Sequence, residues 1–328
     1  MRSCAAICAM LAVVAAASFL IQDSYILGVM TVTTFLAIWG QSWNLLSGLS
    51  GNVSLGHSVF IAMPAYVTVV LFQTWHVPVL AGALLGIAAA VALAAFIGAA
   101  TLRLSGPYFA LATLSASAVM LSLILHFSDI TGGPNGIPIA FTEADWTNLE
   151  FDHTRSYLLV GLGLLCVVTI FVAGFRRSRL GFYVAVIKSS EAVARAAGIR
   201  IALVKVVIYC MSAALTAAGA VVYVFYLRFL DPGFLAGLTL SVEIALFAVV
   251  GGTGFLAGPI LGAAFYELID VVANARFGDV GGWDVMVLGF SVVVIVMTEP
   301  RGLCELALRL VRAGGAPARM RSVQREAK

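Results

Sequence analysis

Long apolar runs dominate this chain, and its polar residues fall mostly in the gaps between them. A bilayer core about 30 Å thick needs roughly 20 apolar residues in helical form, whereas membrane β-strands show alternating segments of about 10 residues. Because the apolar runs here are long and do not alternate, the pattern predicts membrane-spanning helices. Gly, Pro and charged residues bound ten predicted spans, which are 4–21, 26–46, 55–74, 78–100, 107–127, 157–175, 203–226, 235–252, 258–273 and 283–299.

The composition supports the same class of protein. Hydrophobic residues make up 62% of the 328 residues and charged residues 11%, where a soluble domain carries about 25%. A chain this apolar cannot cover itself with polar surface in water, so an all-α polytopic membrane protein is predicted. The first run, 4–21, is longer than the apolar part of a secretory signal and is expected to be a retained span.

The charged residues indicate orientation rather than a nucleic-acid partner, because most Lys and Arg lie between or after the apolar runs. Segment 176–202 holds six bases and one acid, so the positive-inside rule places it in the cytoplasm. The acidic segment 128–156 is predicted to lie outside. The basic tail, 305–328, is predicted to lie inside, and ten spans then place both termini in the cytoplasm.

Signals for enzymatic chemistry are poor. The sequence contains no HExxH, GxSxG or phosphate-loop motif and no metal-spaced set of His or Cys. No metal site and no bound cofactor are therefore expected. If ATP hydrolysis drives this protein, the ATP must be bound and hydrolysed by another chain. Five cysteines occur without a CxxC pair, and packing roles are expected for them.

Two glycine-rich interruptions, 48–56 and 251–258, each join a descending span to an ascending one at the predicted cytoplasmic face. Interrupted helices in corresponding positions are typical of transporters built from two related halves. Two ordinary glycine-rich turns are the alternative. The candidate hinge residues are Gly51, Gly56, Gly251, Gly252, Gly254 and Gly258.

Polar side chains within the spans are costly in a bilayer and are functional candidates by default. Hydrogen-bonding groups where span two ends and span three begins suit the path of a polar solute, although they could equally tie helices together. Glu243, near the middle of span eight, must be protonated, paired or facing water. An interhelical tie or a cavity residue is favoured over a proton relay. The candidate translocation residues are Asn44, Asn52, Ser54, His57, Ser58 and Glu243.

Two further segments carry expectations of their own. Glu267 and Asp270 lie near the outer end of span nine, and a local ion pair with Arg276 is expected. Segment 191–199 is rich in Ala and too polar to enter the bilayer, which predicts a short surface helix. Small side chains on such a helix would let a partner approach closely, so it could pass a force from a soluble motor to the membrane.

Several passages occur in a specific order along the chain. They are WNLLSG at 43–48 with LGH at 55–57, RLSGPYFA at 103–110, TGGPNGI at 131–137, SRLG at 178–181, SVEI at 241–244 leading to GGTGFLAGP at 251–259, and PRGL at 300–303. Together they resemble the permeases of branched-chain amino acid ABC importers of the LivM type, over about residues 35–303.

The resemblance implies a type II ABC importer permease of the bacterial inner membrane, with residues 1–304 as the permease domain. Such a chain pairs with a second, related permease. Two cytoplasmic ATPases, which bind ATP and Mg, lie beneath, and a soluble periplasmic protein delivers the solute. Branched-chain amino acids, or a related solute such as urea, amides or aromatic acids, would cross by alternating access around the candidate translocation residues.

The resemblance also gives two regions expected roles. Segment 191–199 looks like the coupling helix that docks on the ATPase, although Val193 and one extra residue before Gly198 depart from the general form. The expected coupling residues are Glu191, Ala192, Ala194, Ala197, Gly198 and Ile199. The outer loop would meet the solute-loaded receptor through Thr131, Gly132, Gly133 and Asn135.

Two other functions would require features that the sequence lacks. An ion-gradient-driven secondary transporter would depend on Glu243, and the lack of a second acid near the centre of a span argues against it. A membrane-embedded enzyme would need clustered catalytic groups, and the polar stretch 52–58 has no acid nearby in sequence.

Overall fold

Helices account for nearly all of the regular structure. The computed structural model describes residues 2–102, 104, 106–140, 145, 147–277 and short stretches between 286 and 309. The helices are α1 (Arg2–Ala17), α2 (Ser24–Trp43), α3 (Val59–Trp75), α4 (Val79–Thr101), α5 (Pro107–His126), α6 (Ser128–Thr131), α7 (Thr154–Phe175), α8 (Arg179–Ser189), α9 (Glu191–Ala196), α10 (Ile201–Leu227), α11 (Pro232–Leu235), α12 (Leu238–Gly251) and α13 (Gly258–Phe277). The end of α2 continues as a π-helical turn, Asn44–Gly48, and a 3₁₀ turn covers Gly133–Asn135. Within the described residues the one sheet is a two-residue antiparallel pair, β1 (Ile137–Pro138) with β2 (Phe229–Leu230), so the predicted all-α class is confirmed.

Among the residues that the structure describes, five helical stretches are long and apolar enough to cross a membrane, namely Ser24–Gly48, α4, α5, α7 and α10. They correspond to predicted spans two, four, five, six and seven. Predicted spans one, three and eight correspond to shorter apolar helices, and span nine corresponds to the 20-residue α13. Predicted span ten and the basic tail fall largely outside the described residues.

Spans three and eight do not begin where the apolar pattern predicts. Residues 55–58 are not helical, and α3 begins at Val59. Span eight is interrupted at Ala236 and Gly237, which separate the short α11 from α12. With 14 residues, α12 is about 21 Å long and is shorter than a bilayer core. Hydropathy alone does not locate the start of either helix, because the hydrogen bonds of Ser58 that support both breaks join it to distant residues.

Helix α4 shows how the spans pack. A Cβ atom at Gly86 would lie 2.9 Å from the Pro64 carbonyl oxygen, so α4 and α3 approach closely there. Large apolar residues of α4, such as Leu84 and Phe96, are exposed. Small residues inside and large apolar residues outside are typical of membrane helices that face lipid. The buried small residues follow a four-residue spacing and are Gly82, Gly86, Ala90, Ala94 and Gly98.

The acidic and basic segments lie at opposite ends of the bundle, separated by the 22 residues of α7. At the beginning of α7, the Arg155 guanidinium donates to the Ile21 carbonyl oxygen at 2.8 Å. Just after α7, Arg177 lines a groove together with Cys4 near the beginning of α1. The predicted separation of the two segments is therefore confirmed, and the placement of the basic end in the cytoplasm stays a prediction.

Candidate functional site

The chain turns back on itself after α2. Beyond the π-helical turn, residues 51–56 have no regular secondary structure and return alongside the end of α2, and they are here called the return segment. The Trp43 indole N–H donates to the Ser54 carbonyl oxygen at 2.7 Å, and the Ser54 N–H donates to the Ser47 hydroxyl at 3.2 Å. Backbone that is not helical needs such partners inside a membrane protein, because lipid supplies none.

Asn44 joins the two glycine-rich interruptions. Its side-chain oxygen accepts from the Gly254 N–H at 2.7 Å, and its side-chain nitrogen donates to the Phe255 carbonyl oxygen at 3.1 Å. One turn earlier, the Gln41 amide nitrogen donates to the Leu256 carbonyl oxygen at 2.5 Å. The end of α2, which leads into the first glycine-rich interruption, is therefore hydrogen-bonded to the second. Their symmetry as two halves of a repeat stays a prediction.

The six candidate hinge glycines fall into two groups. Gly51, Gly252 and Gly254 have φ values of +79°, +113° and +81°, a region that residues with a Cβ atom rarely adopt. Gly56, Gly251 and Gly258 are sites of close backbone approach. A Cβ atom at each would lie between 1.9 and 2.4 Å from a carbonyl oxygen. Glycine is required at these places by geometry, and a hinge motion there stays a prediction.

Five buried polar residues form a cluster that begins directly after the return segment, residues 51–56. It is here called the serine–histidine cluster. The Ser58 N–H donates to the Ser241 hydroxyl at 2.8 Å, and the Ser58 hydroxyl donates to that of Ser117 at 2.9 Å. These bonds connect the beginning of α3 with α5 and α12. The members are His57, Ser58, Ser117, Ser212 and Ser241, and each is fully buried.

The hydrogen bonds of Ser212 fix the tautomer of His57. The Ser212 hydroxyl donates its hydrogen to the Ser42 carbonyl oxygen at 2.6 Å. It can therefore only accept at its 3.0 Å contact with His57 Nε2, so Nε2 carries the hydrogen. The Nδ1 atom is then an acceptor, and it has no partner in the described structure.

The candidate translocation residues are thus not equivalent. Asn44, Ser54, His57 and Ser58 are buried and bonded to other protein atoms, which fits the alternative that they tie helices together. Asn52 is partly exposed. Their place on a solute path stays a prediction.

Glu243 lines a cavity of about 480 Å³, here called the acid-lined cavity, between α2, α10 and the α11–α13 region. Glu267 and Asp270 of α13 line it as well, and the Tyr266 hydroxyl is within hydrogen-bonding reach of Glu243. The expectation of a cavity residue at position 243 therefore agrees with the geometry. The full lining is Val32, Leu36, Tyr223, Gly233, Phe234, Thr239, Leu240, Glu243, Tyr266, Glu267 and Asp270.

The shared role of Glu267 and Asp270 is missed by sequence reasoning, which pairs them locally with Arg276. In the described structure Glu267 forms no ion pair with Arg276, because it lies on the face of α13 that lines the acid-lined cavity. The three-residue spacing of the two acids places them on one face of α13. It cannot show that this face meets Glu243 on another helix.

Segment 191–199 forms a short surface helix as predicted. The Ser190 hydroxyl accepts from the Val193 N–H at 3.4 Å at the beginning of α9, and Gly198 follows its end with a φ of +75°. Ala194 is buried, whereas Ala192 and Ala197 are exposed. The Ile199 N–H donates to the Ala194 carbonyl oxygen at 3.0 Å, which closes the turn. Docking of an ATPase on this helix stays a prediction.

Glu191 anchors α9 to the next membrane helix. Its carboxylate accepts from Lys205 Nζ at 2.7 Å and from the Arg195 guanidinium at 3.3 Å. The hydrogen bond from Lys205 is the main reason that the pKa of Glu191 lies below its usual range. Because six residues are too few for a stable isolated helix, this ion pair and packing against α8 hold α9 in place.

Helix α8 is an element that the apolar pattern does not predict. Its Lys188 donates from Nζ to the Gly48 carbonyl oxygen at 2.7 Å, which connects α8 to the π-helical turn. A signal for α8 is present, since Ser178 caps its N-terminus, and Leu180, Val184 and Ile187 follow at helical spacing. The strong basic character of 176–202 hides that pattern.

The predicted receptor-facing residues lie in a tight turn at the other end of the bundle. Thr131 and Gly132 are partly exposed, Gly133 is buried, and Asn135 is exposed. Gly132 and Gly133 both have positive φ, and β1 follows directly and pairs with β2. Their contact with a receptor stays a prediction.

Comparison with known proteins places these features in one family. A family model described as "Branched-chain amino acid transport system / permease component" matches residues 25–296. This chain belongs to that family. It is an ABC importer permease, and members of the family are transport components. Its apolar helices and its family make it a multi-pass bacterial membrane protein.

In the described part of the chain, no group of three or more His, Cys, Asp or Glu is arranged to hold a metal ion.

Individual relatives agree with the family. The high-affinity branched-chain amino acid transport system permease proteins LivM of Escherichia coli K12 and Salmonella typhimurium LT2 are each 27% identical, over 84% of this chain and 69% of theirs. The fructose import permease protein FruG of Bifidobacterium longum is 22% identical, over 76% of this chain and 75% of its own. Among solved structures, PsaBC from Streptococcus pneumoniae in complex with Fab aligns with a TM-score of 0.47 and 14% identity, over 88% of this chain and 96% of that one.

Proposed function

We propose that this chain passes branched-chain amino acids across the bacterial inner membrane as one permease of a type II ABC importer. A second, related permease, two cytoplasmic ATPases that bind ATP and Mg, and a periplasmic solute-binding protein complete the assembly. The family and the LivM relatives support the amino acid substrate. The FruG relative, which is named for fructose import, makes a sugar the second candidate.

The observation that carries this proposal is a continuous connection from the surface to the interior. The surface helix α9 packs on α8, and Lys188 of α8 holds the carbonyl of Gly48. In the same π-helical turn, Asn44 holds the second glycine segment at Gly254. Movement of α8 and α9 by an ATPase would therefore reach both interrupted segments at once, which is what alternating access requires.

The acid-lined cavity favours an amino acid over a sugar. Carboxylates of α12 and α13 suit the ammonium group of an amino acid, and Val32, Leu36 and Leu240 suit a branched apolar side chain. Gly233 and Phe234, near the acidic end of the bundle, also line this cavity. A solute delivered at that end would meet it on the way in.

Copurification with a substituted α9 tests the proposal. The tagged chain is isolated from native membranes in mild detergent, and its partners are identified by mass spectrometry. Ala197→Trp adds bulk at an exposed position with ordinary backbone angles, whereas a substitution at Gly198 would also strain the backbone. We expect the wild type to recover a second permease and an ATPase, and Ala197→Trp to lose the ATPase.

Gln22→Trp is the matched control, because Gln22 is exposed and lies at the opposite end of the bundle. It should recover the ATPase like the wild type. A wild-type chain that purifies alone and still transports an amino acid with an ion gradient would contradict the proposal and support a secondary transporter.

A further inference from the structure

Three carboxylates from two helices face the acid-lined cavity, and none of the eleven described residues that line it is basic. Glu267 is the most enclosed of the three, with 8% of its surface exposed. No hydrogen bond or ion pair to Glu267 is found within the described part of the chain. This side chain therefore faces the cavity without a partner of its own.

A buried carboxylate in this position is unfavourable by itself. Removal from water disfavours its charge, and Asp270, one helical turn away, adds a like charge. Tyr223 and Tyr266 add polar groups to the same cavity. A cation that enters the cavity would offset the charge of Glu267, so the arrangement suits a positively charged ligand.

The size and lining of the cavity indicate which cation it suits. Its volume of about 480 Å³ is within the range of small-molecule sites and is large for a bare metal ion. The described acids are not arranged as a metal site. Aliphatic side chains from Val32, Leu36 and Leu240 share the lining with the carboxylates. An aliphatic ammonium compound uses both kinds of surface, whereas a metal ion or a sugar uses only the polar one.

We propose that the acid-lined cavity is the subsite for the ammonium group of the transported amino acid, with Glu267 as its principal carboxylate. This inference rests on the proposed function. It adds a selectivity step within the membrane, because neutral solutes such as urea or a sugar would leave Glu267 without a counter-charge.

Uptake by the complete importer in proteoliposomes tests the subsite. The complex is reconstituted with its partner permease, ATPases and binding protein, and uptake of labelled leucine is measured. Glu267→Gln keeps the size of the side chain and removes its charge, and we expect kcat/KM for leucine uptake to fall at least ten-fold. Glu267→Asp should retain more uptake than Glu267→Gln. Asp152→Asn, which removes an exposed carboxylate outside the cavity, should match the wild type.

A second measurement uses the wild-type complex and does not depend on the folding of a variant. A hydrophobic diazo compound esterifies buried carboxyl groups in their protonated form, with loss of N₂, and mass spectrometry locates the modified residue. We expect 3-methylbutylamine to slow modification of Glu267 and the equally shaped 3-methylbutan-1-ol to leave it unchanged. This pair of probes differs only in the ammonium group.

The outcomes separate the two proposals. If the wild type imports leucine and Glu267→Gln does so equally well, the subsite is wrong and the proposed function stands. Equal protection of Glu267 by the amine and the alcohol would also overturn the subsite. If the wild-type complex imports no amino acid and imports a sugar instead, the proposed substrate itself is wrong.

Discussion

The serine–histidine cluster and the acid-lined cavity both place polar groups within the apolar bundle, and they satisfy these groups in different ways. In the cluster, Ser58 and Ser241 bond each other, and no member is exposed. In the cavity, Glu267 faces an open volume without a bond from the described protein. Helix α12 contributes to both, since Ser241 faces the cluster and Glu243, two residues later, faces the cavity.

The difference teaches how to interpret polar residues in a membrane protein. A polar group at membrane depth must find a partner, and the partner can be protein or a ligand. Where protein atoms supply the partner, the residue holds helices together. Where a cavity faces the residue, a ligand is the better explanation. On this basis we expect a structural role for the serines of the cluster and a functional role for the cavity, whereas Nδ1 of His57 is an exception within the cluster because it has no partner in the described structure.

The largest effect on stability is expected where the return segment, residues 51–56, approaches α5. A Cβ atom at Gly56 would lie 2.4 Å from the Thr113 carbonyl oxygen, and this backbone atom cannot move aside easily. Gly56→Ala should destabilise the protein by about 1–3 kcal/mol or more, as overpacked cores do. The thermal midpoint in detergent, measured by size-exclusion chromatography after heating, should fall.

Gly163→Ala is the matched control for this prediction. A Cβ atom at Gly163, within α7, would meet no heavy atom within 4 Å, so this variant should be as stable as the wild type or slightly more stable. Equal midpoints for Gly56→Ala and the wild type would mean that the cluster does not depend on this close approach.

The next effect separates the two regions on one helix. Ser241→Ala leaves the buried Ser58 N–H without its acceptor and should cost about 1–3 kcal/mol of stability. Uptake per folded importer should then change little. Glu243→Gln should show the reverse pattern, with stability near that of the wild type and uptake several-fold lower.

Both quantities are needed to judge this pair, namely the thermal midpoint and uptake normalised to folded complex. A loss of uptake in folded Ser241→Ala would place the cluster on the solute path, as the sequence analysis first suggested. The distinction drawn between the two regions would then be wrong.

The sequence predicts the helical class and most of the helix positions, because a long apolar run has few other stable forms in a bilayer. It also predicts α9, where Ala-rich composition coincides with charge. It predicts the interruption at 48–56, but not that the non-helical stretch continues through Ser58, and it does not predict the break before α12, because the hydrogen bonds that support both come from distant residues, such as the bond between Ser58 and Ser241.

The candidate site could be predicted only in part, for the same physical reason. Single residues such as Asn44 and Glu243 are conspicuous in an apolar sequence. Their different roles depend on what faces them, and that is set by packing between helices. The grouping of Glu243 with Glu267 is invisible along the chain, since 24 residues separate them.

A smaller effect is expected at the link between α8 and the interior. Lys188→Met removes the donor to the Gly48 carbonyl and keeps most of the aliphatic stem. The ATPase should still bind. The ratio of solute transported to ATP hydrolysed should fall by about two- to five-fold, because movement of α8 then reaches Asn44 less directly. Uptake and ATP hydrolysis are measured in the same proteoliposomes.

Arg179→Met is the matched control, since Arg179 is an exposed base on the same helix. It should keep the ratio of transport to hydrolysis. An unchanged ratio in Lys188→Met would show that force from α9 reaches the glycine segments by another route.

The smallest effect concerns the surface ion pair of Glu191, a third way of satisfying a polar group. Its carboxylate is 42% exposed, so water screens the pair with Lys205. The folded-state pKa of Glu191 is lowered from 4.5, so its contribution is present above that value and is lost as pH falls through the lower folded value. Hydrogen-exchange protection of residues 191–197, corrected for intrinsic rates, should be constant from about pH 8 to about pH 5 and should decline only in more acidic buffer. Glu191→Gln should lower this protection above about pH 5, where the wild-type carboxylate is charged, and should remove its acid dependence, so that the two proteins converge in more acidic buffer. Equal protection in the variant and the wild type at neutral pH would mean that packing on α8 alone orders α9. The surface contact of Glu191 with Lys205 would then be dispensable, whereas the buried polar groups of the cluster and of the cavity need a partner.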